Sequence, residues 1–190
     1  MRDKIKDILL SSIQVKEELI RTGLTPIIEA SNLIIACLKK GGKVILFGNG
    51  GSAADSQHIA AELIGRFQKD RNALAAIALT VNTSVLTAIG NDYGYENIFS
   101  KQVEGLGKKN DVAIGISTSG KAKNILKAIS KAKEMGLDTI ALTGGSGGEL
   151  AKLADISIIV PSAITARIQE THITIGHIIC EMVEEALSST

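Results

Sequence analysis

His58 and Glu62 stand four residues apart in Asp55-Ser-Gln-His58-Ile-Ala-Ala-Glu62-Leu-Ile-Gly-Arg66, directly after the glycine-rich stretch Gly48-Asn-Gly-Gly-Ser52. On a helix that spacing brings an imidazole and a carboxylate to one face. Such a pair can grip a metal ion, act as acid and base, or be an ordinary surface pair, and spacing alone leaves all three open. Asp55 and Arg66 fall on roughly the same face. A second locus is the run 111–120, where apolar Val112 to Ile116 ends in Ser117, Thr118 and Ser119, followed by Gly120 and a helical pattern. Hydroxyls and free backbone N–H groups at the mouth of a helix favour an anion. With neither a Walker A lysine nor a GxGxxG spacing, the fitting ligand is a small phosphorylated metabolite rather than a nucleotide.

The C-terminal helical pattern carries Gln169, His172, His177 and Glu181. His172 and His177 do not share a face well. Gln169 and His177 are separated by about 12 Å of helical rise, so spacing does not join them into one site. His177 can equally be read as a buried histidine tied to Glu181 one turn on.

The elements that must position these groups follow from periodicity. Residues 3–21 form an amphipathic helix with apolar Ile5, Leu9, Ile13 and Ile20, and a second helix follows Pro26 and stops at Gly41-Gly42. Strands are predicted at 43–47, 75–79, 112–116, 139–142 and 157–160. Helices are predicted at 52–67, 121–135 and about 165–187, with a short one after Gly144–Gly148 and one or two over 84–107, broken near Gly90–Gly94. Continuous apolar strands alternating with helices predict an α/β three-layer sandwich around a five-stranded parallel sheet. The two glycine-rich loops then sit at the carboxyl ends of strands and converge on one crevice. With no internal linker or low-complexity tract, residues 1–190 read as one domain, with a helical hairpin at 1–40 and an α/β core at 43–187. The first helix has no strand partner in its own unit, so it is expected to pack against another subunit.

Composition narrows the function. Of 190 residues 45% are hydrophobic, enough for a sizeable core, and 21 basic residues against 20 acidic leave a charge of +1. No basic footprint marks a nucleic-acid partner, and with no tryptophan and 3% aromatic residues there is little to stack bases on. Cys37 and Cys180 lie within apolar helical patterns and read as buried thiols in a reducing compartment. Neither a signal peptide nor a membrane span is apparent, so the expected location is the cytoplasm.

The blocks GNGGSAADSQHIAAELIGRF at 48–67, TAIGNDYGYENIFSKQV at 87–103, GISTSG at 115–120, ALTGGSGG at 141–148 and ARIQETHITIGHIICE at 166–181 resemble the sugar isomerase (SIS) superfamily, and within it the phosphoheptose isomerases. The resemblance covers nearly the whole chain. It implies a flavodoxin-like five-stranded sheet, a homotetramer with active sites at subunit interfaces, and conversion of sedoheptulose 7-phosphate to D-glycero-D-manno-heptose 7-phosphate, the first step towards nucleotide-activated heptose. It further implies one zinc per subunit, held by His58, Glu62, Gln169 and His177, with Glu62 as base and His177 as acid. Ser117, Thr118 and Ser119 would hold the phosphate. Asn49, Gly50, Gly51 and Ser52 would line the sugar, together with Asn91, Asp92 and Gln169. Asp55, Arg66 and Lys121 are secondary candidates, for hydroxyl contacts or for orienting the ligands. The family usually carries a hydroxyl just after the glycine of the phosphate loop; this chain has Gly120-Lys121-Ala122, so one contact is lost and Lys121 is the candidate to supply charge instead. Two rivals share the fold: a non-catalytic protein that binds the replication initiator DnaA, which lacks the equivalent of His177, and an isomerase of another sugar phosphate.

Overall fold

Val44–Gly48 (β1), Ala76–Ala78 (β2), Val112–Ser117 (β3), Asp138–Gly144 (β4) and Ile156–Val160 (β5) pair in one parallel sheet in the order β2-β1-β3-β4-β5. The computed structural model describes residues 1–188. β1 and β3 are buried along their whole length, as continuous apolar strands must be when both sheet faces are covered. Alternate residues of each strand feed two cores. Leu46, Ile114, Ile116 and Leu142 pack beneath α2 (Leu24–Lys39), α3 (Gly51–Ile64) and α8 (Thr165–Leu187). Ile45, Phe47, Ala113 and Ala141 pack beneath α5 (Ser100–Leu106), α6 (Lys123–Glu134) and α7 (Leu150–Leu153). The three-layer sandwich expected from the strand pattern is thus present.

The remaining helices are α1 (Arg2–Thr22) and α4 (Thr83–Tyr93), the latter separated from α5 by a 3₁₀ turn at 95–97. That break falls at Gly94, whose φ of 85° suits glycine alone. α1 buries only Leu19; Ile5, Leu9 and Ile13 are each at least half exposed in the single chain. Among the described residues no single helix is long and apolar enough to cross a membrane. Both cysteines are buried free thiols, and burial pushes them up to about 11 for Cys37 and about 12 for Cys180, so neither is a nucleophile.

Several boundaries differ from the sequence expectation, and three of them move a helix end by two residues or more. α2 opens at Leu24, ahead of Pro26, because proline in a first turn gives up no helical hydrogen bond. α6 opens at Lys123, which leaves Lys121 in the loop. α3 stops at Ile64 rather than Phe67, so Arg66 is not on the face of His58 and Glu62 but in an exposed turn. The cause lies far away in sequence: buried Glu184 of α8 takes the backbone N–H groups of Phe67, Gln68 and Lys69 at 3.0, 2.8 and 2.9 Å. These amides are therefore unavailable to the helix.

Candidate active site

The strand order reverses between β1 and β3, and the loops at their carboxyl ends form the crevice where open α/β sheets take ligands. The two loops are tied together by side-chain amides. Asn49 donates to Asn124 Oδ1 at 2.9 Å, Asn124 donates back at 2.8 Å, and the Tyr95 hydroxyl adds a 3.2 Å bond to Asn49 Oδ1. Asn49, read as a sugar contact, is therefore also a latch, and Asn124 and Tyr95 are partners the sequence did not single out. A hollow of about 110 Å³ lined by Asn49, Gly50, Thr80 and Tyr95 opens beside it. Ser52 is buried in the first turn of α3, and Gly51 lies at its start.

A second hollow of about 250 Å³ joins the loops after β3, β4 and β5 and is lined by Thr118, Ser119, Lys121, Ser146, Ser162 and Thr165. Ser117, the last residue of β3, is buried beneath it. The turn that shapes it passes through Gly120 at φ 64°, where a Cβ would come within 2.0 Å of the Gly147 carbonyl oxygen. Ser146, Ser162 and Thr165 were missed in the sequence; hydroxyls directly after β4 and β5 were the available signal. Ser119 and Lys121 are exposed, and the Lys121 backbone N–H donates to Ser119 Oγ at 3.3 Å. Hydroxyls, an ammonium and loop amides are the groups a phosphoryl dianion requires.

His58 and Glu62 lie further along α3, and His177 reaches them from α8. His58 Nε2 stands 3.1 Å from Glu62 Oε1 and 3.4 Å from His177 Nε2, and the donor atoms of all three lie within 4.8 Å of one another. The helices come this close because residue 176 is glycine: a Cβ there would meet Ile59 Cδ1 at 2.6 Å. The rings of His58 and His177 meet edge to face at 4.9 Å, and Phe67 covers His177 at 5.5 Å. His177 is half-buried, with its ring against His58 and Phe67. Two imidazole nitrogens and one carboxylate oxygen suit a zinc ion, and spacings of 3.1 and 3.4 Å lie close to the edges, about 3.3–3.6 Å, of a tetrahedron with bonds of about 2.0–2.2 Å. Asp55, one turn before His58, leaves its buried Oδ2 without a partner among the described residues, and burial raises its carboxyl while nearby His58 partly offsets the rise.

Not every candidate converges. Gln169 shares the α3–α8 groove, but its amide rests on Gly51, where an added Cβ would meet Nε2 at 2.5 Å. That is about 10 Å of helical rise before His58. Asn91 and Asp92 are exposed at the end of α4, where Asn91 donates to Asp92 Oδ1 at 2.8 Å. Neither hollow is walled by His58, Glu62 or His177. One chain therefore presents a hydroxyl-lined hollow and a metal-competent triad as separate surfaces.

Residues 10–144 match the family model described as the SIS domain. A phosphoheptose isomerase of Aquifex aeolicus is 54% identical over 97% of both chains. The solved structure of a phosphoheptose isomerase from Neisseria gonorrhoeae superposes with a TM-score of 0.92 at 44% identity, covering 97% of this chain and 98% of that one. Another, from Francisella tularensis, gives 0.93 at 42% identity over 96% and 97%.

Proposed function

We infer the activity from the family: the chain belongs to the SIS domain family and, within it, to the phosphoheptose isomerases. It isomerises sedoheptulose 7-phosphate to D-glycero-D-manno-heptose 7-phosphate, a ketose-to-aldose conversion that opens the route to nucleotide-activated heptose. The observation that carries this reading is the convergence of His58, Glu62 and His177 across α3 and α8, in a chain that also holds a hydroxyl-lined anion pocket.

The reaction moves one proton between neighbouring carbons through an enediol. Glu62 takes a proton from C1 of the ketose while His177 gives one to the C2 oxygen. His177 then recovers a proton from the C1 oxygen, and Glu62 returns its own to C2, so nothing is gained or lost. Carboxylate and imidazole suit these roles because an imidazole changes charge near neutral pH. His58, Glu62 and His177 would hold zinc, one per subunit, and the ion would polarise substrate oxygens; Gln169, the fourth ligand implied by the family, rests instead on Gly51. Ser117, Thr118 and Ser119, with Lys121 in place of the missing hydroxyl, hold the phosphate.

The separation of pocket and triad within one chain supports a site completed by a neighbour. The exposed apolar face of α1 supports the same reading, and the assembly is a homotetramer working in the cytoplasm. The test is turnover of sedoheptulose 7-phosphate by purified protein, set against pentose and hexose ketose phosphates, with assembly read by light scattering. Formation of the aldose heptose phosphate, faster than any rival reaction, is expected. Preference for a smaller ketose phosphate, or no turnover by a zinc-loaded tetramer, would overturn the reading.

A further inference from the structure

The most completely satisfied polar cluster next to the triad is one that the reaction itself does not use. The Arg71 guanidinium donates to the carbonyls of Glu62, Leu63, Gly65 and Asn72 at 2.8, 2.9, 3.1 and 3.0 Å, and its Nε donates to Glu184 Oε1 at 3.1 Å. The first three of these carbonyls belong to the end of α3 and the residue that caps it, where carbonyls lack helical partners, although Leu63 also accepts the Leu74 N–H at 3.1 Å. Glu184 in turn accepts the N–H groups of residues 67–69, so both oxygens of its carboxylate are used twice. Both side chains are almost wholly buried, at 5% and 2% exposure. Burial alone would raise the Glu184 carboxyl; the three amides and Arg71 outweigh it and hold it below the ordinary range.

Burying an ion pair for its own sake adds little stability, since desolvation consumes most of the attraction. This pair joins three pieces that each carry part of the site. Arg71 grips the carbonyl of Glu62 itself. Glu184 stands two turns beyond His177 on α8. The loop between them carries Phe67, whose ring lies against His177.

We propose that Arg71 and Glu184 are positioning residues, fixing the separation of Glu62 on α3 and His177 on α8 and seating Phe67 on the imidazole. The proposal rests on the acid–base roles given to Glu62 and His177. A lysine at 71 keeps the charge opposite Glu184, but one ammonium cannot span four carbonyls. Small displacements of reacting groups cost rate far more than affinity.

The experiment compares Arg71→Lys and Phe67→Leu with the parent. The readouts are kcat and KM per folded tetramer, and the His58 and His177 ring resonances by NMR. Arg71→Lys should lose about tenfold to a hundredfold in kcat with KM within about threefold, and should move the His177 resonances. Phe67→Leu, which leaves the clamp intact, should move the same resonances with a smaller kcat loss. Unmoved ring resonances in Arg71→Lys would overturn the proposal whether or not the sugar phosphate is turned over. So would a rate loss accounted for by the unfolded fraction alone. If the resonances move while the parent shows no turnover, the positioning stands and only the assigned reaction falls.

Discussion

At the amino end of the sheet, Asp111 accepts the backbone N–H groups of Lys43 and Lys108 at 2.9 and 2.8 Å, together with the Lys43 ammonium. Asp155 there accepts the Thr139 N–H at 2.9 Å and hydroxyl at 2.6 Å, and the Lys133 ammonium. At the carboxyl end and along the groove below it, Asp55 Oδ2 is buried without a partner and two imidazole nitrogens face each other at 3.4 Å. Both regions are rich in charged and polar groups, but Asp111 and Asp155 are satisfied from within the chain, whereas Asp55, among the described residues, is not. Polar groups saturated by backbone amides hold strand starts in register. Those left with open valences are where a ligand or metal completes the bonding.

The largest expected contrast comes from removing one carboxylate in each region. Glu62→Gln keeps shape and hydrogen bonding but removes the proposed base, so kcat should fall by about 10² or more while the protein stays folded. Metal content must be measured alongside, because Glu62 also belongs to the triad. Near-parent turnover by a zinc-retaining Glu62→Gln protein would end the assignment. Asp111→Asn should do the reverse: the Lys43 ammonium loses its counter-charge and an amide N–H₂ is forced against other donors. That should cost about 3 kcal/mol of stability by urea denaturation, with kcat per folded enzyme unchanged.

His172 sharpens the comparison, because it neighbours the site in sequence yet is shut into the core. It is fully buried, its Nε2 meets the Thr143 carbonyl at 3.1 Å, and its Nδ1 has no partner among the described residues. Burial lowers it from 6.5 to about 4, against the smaller opposing effect of that carbonyl. Between those two values the unfolded chain binds a proton that the folded chain refuses, so stability rises with pH. The contribution is complete above about pH 6.5 and lost as pH falls towards 4, reaching about 3 kcal/mol at the acid limit. Urea midpoints at pH 7 and pH 4.5 should therefore differ more for the parent than for His172→Asn. Equal differences would show that the imidazole titrates freely.

How much of this was legible in the sequence depends on the range of the interaction that decides it. The strands were legible because burial on both faces demands apolar runs, and His58–Glu62 because helical spacing is local. The meeting of His58 with His177 was not a matter of spacing; it needed the parallel α3–α8 contact that Gly176 permits, and before the structure only the family resemblance joined them. The end of α3 and the departure of Arg66 from the expected face were hidden because Glu184, more than a hundred residues away, decides where that helix stops. Ser162 and Thr165 were hidden for the same reason: nothing local says that the loop after β5 folds back towards that after β3.

The smallest effect tests the anion pocket. Ser119 is exposed, and the one hydrogen bond its hydroxyl makes among the described residues, from the Lys121 N–H at 3.3 Å, is long. Its removal should therefore cost the fold almost nothing. Its proposed contribution is to the bound phosphate, which keeps its charge from substrate through enediol to product. An interaction equal in ground and transition states changes KM and leaves kcat alone. A solvent-accessible hydroxyl on a phosphoryl oxygen is worth about 1 kcal/mol, so Ser119→Ala should raise KM roughly fivefold. Lys121→Ala should raise it further at low salt and less at high salt, since a screened ammonium loses its advantage. If Ser119→Ala instead lowers the urea midpoint as Asp111→Asn does, the hydroxyl is structural, and the line between the two ends of the sheet has been drawn in the wrong place.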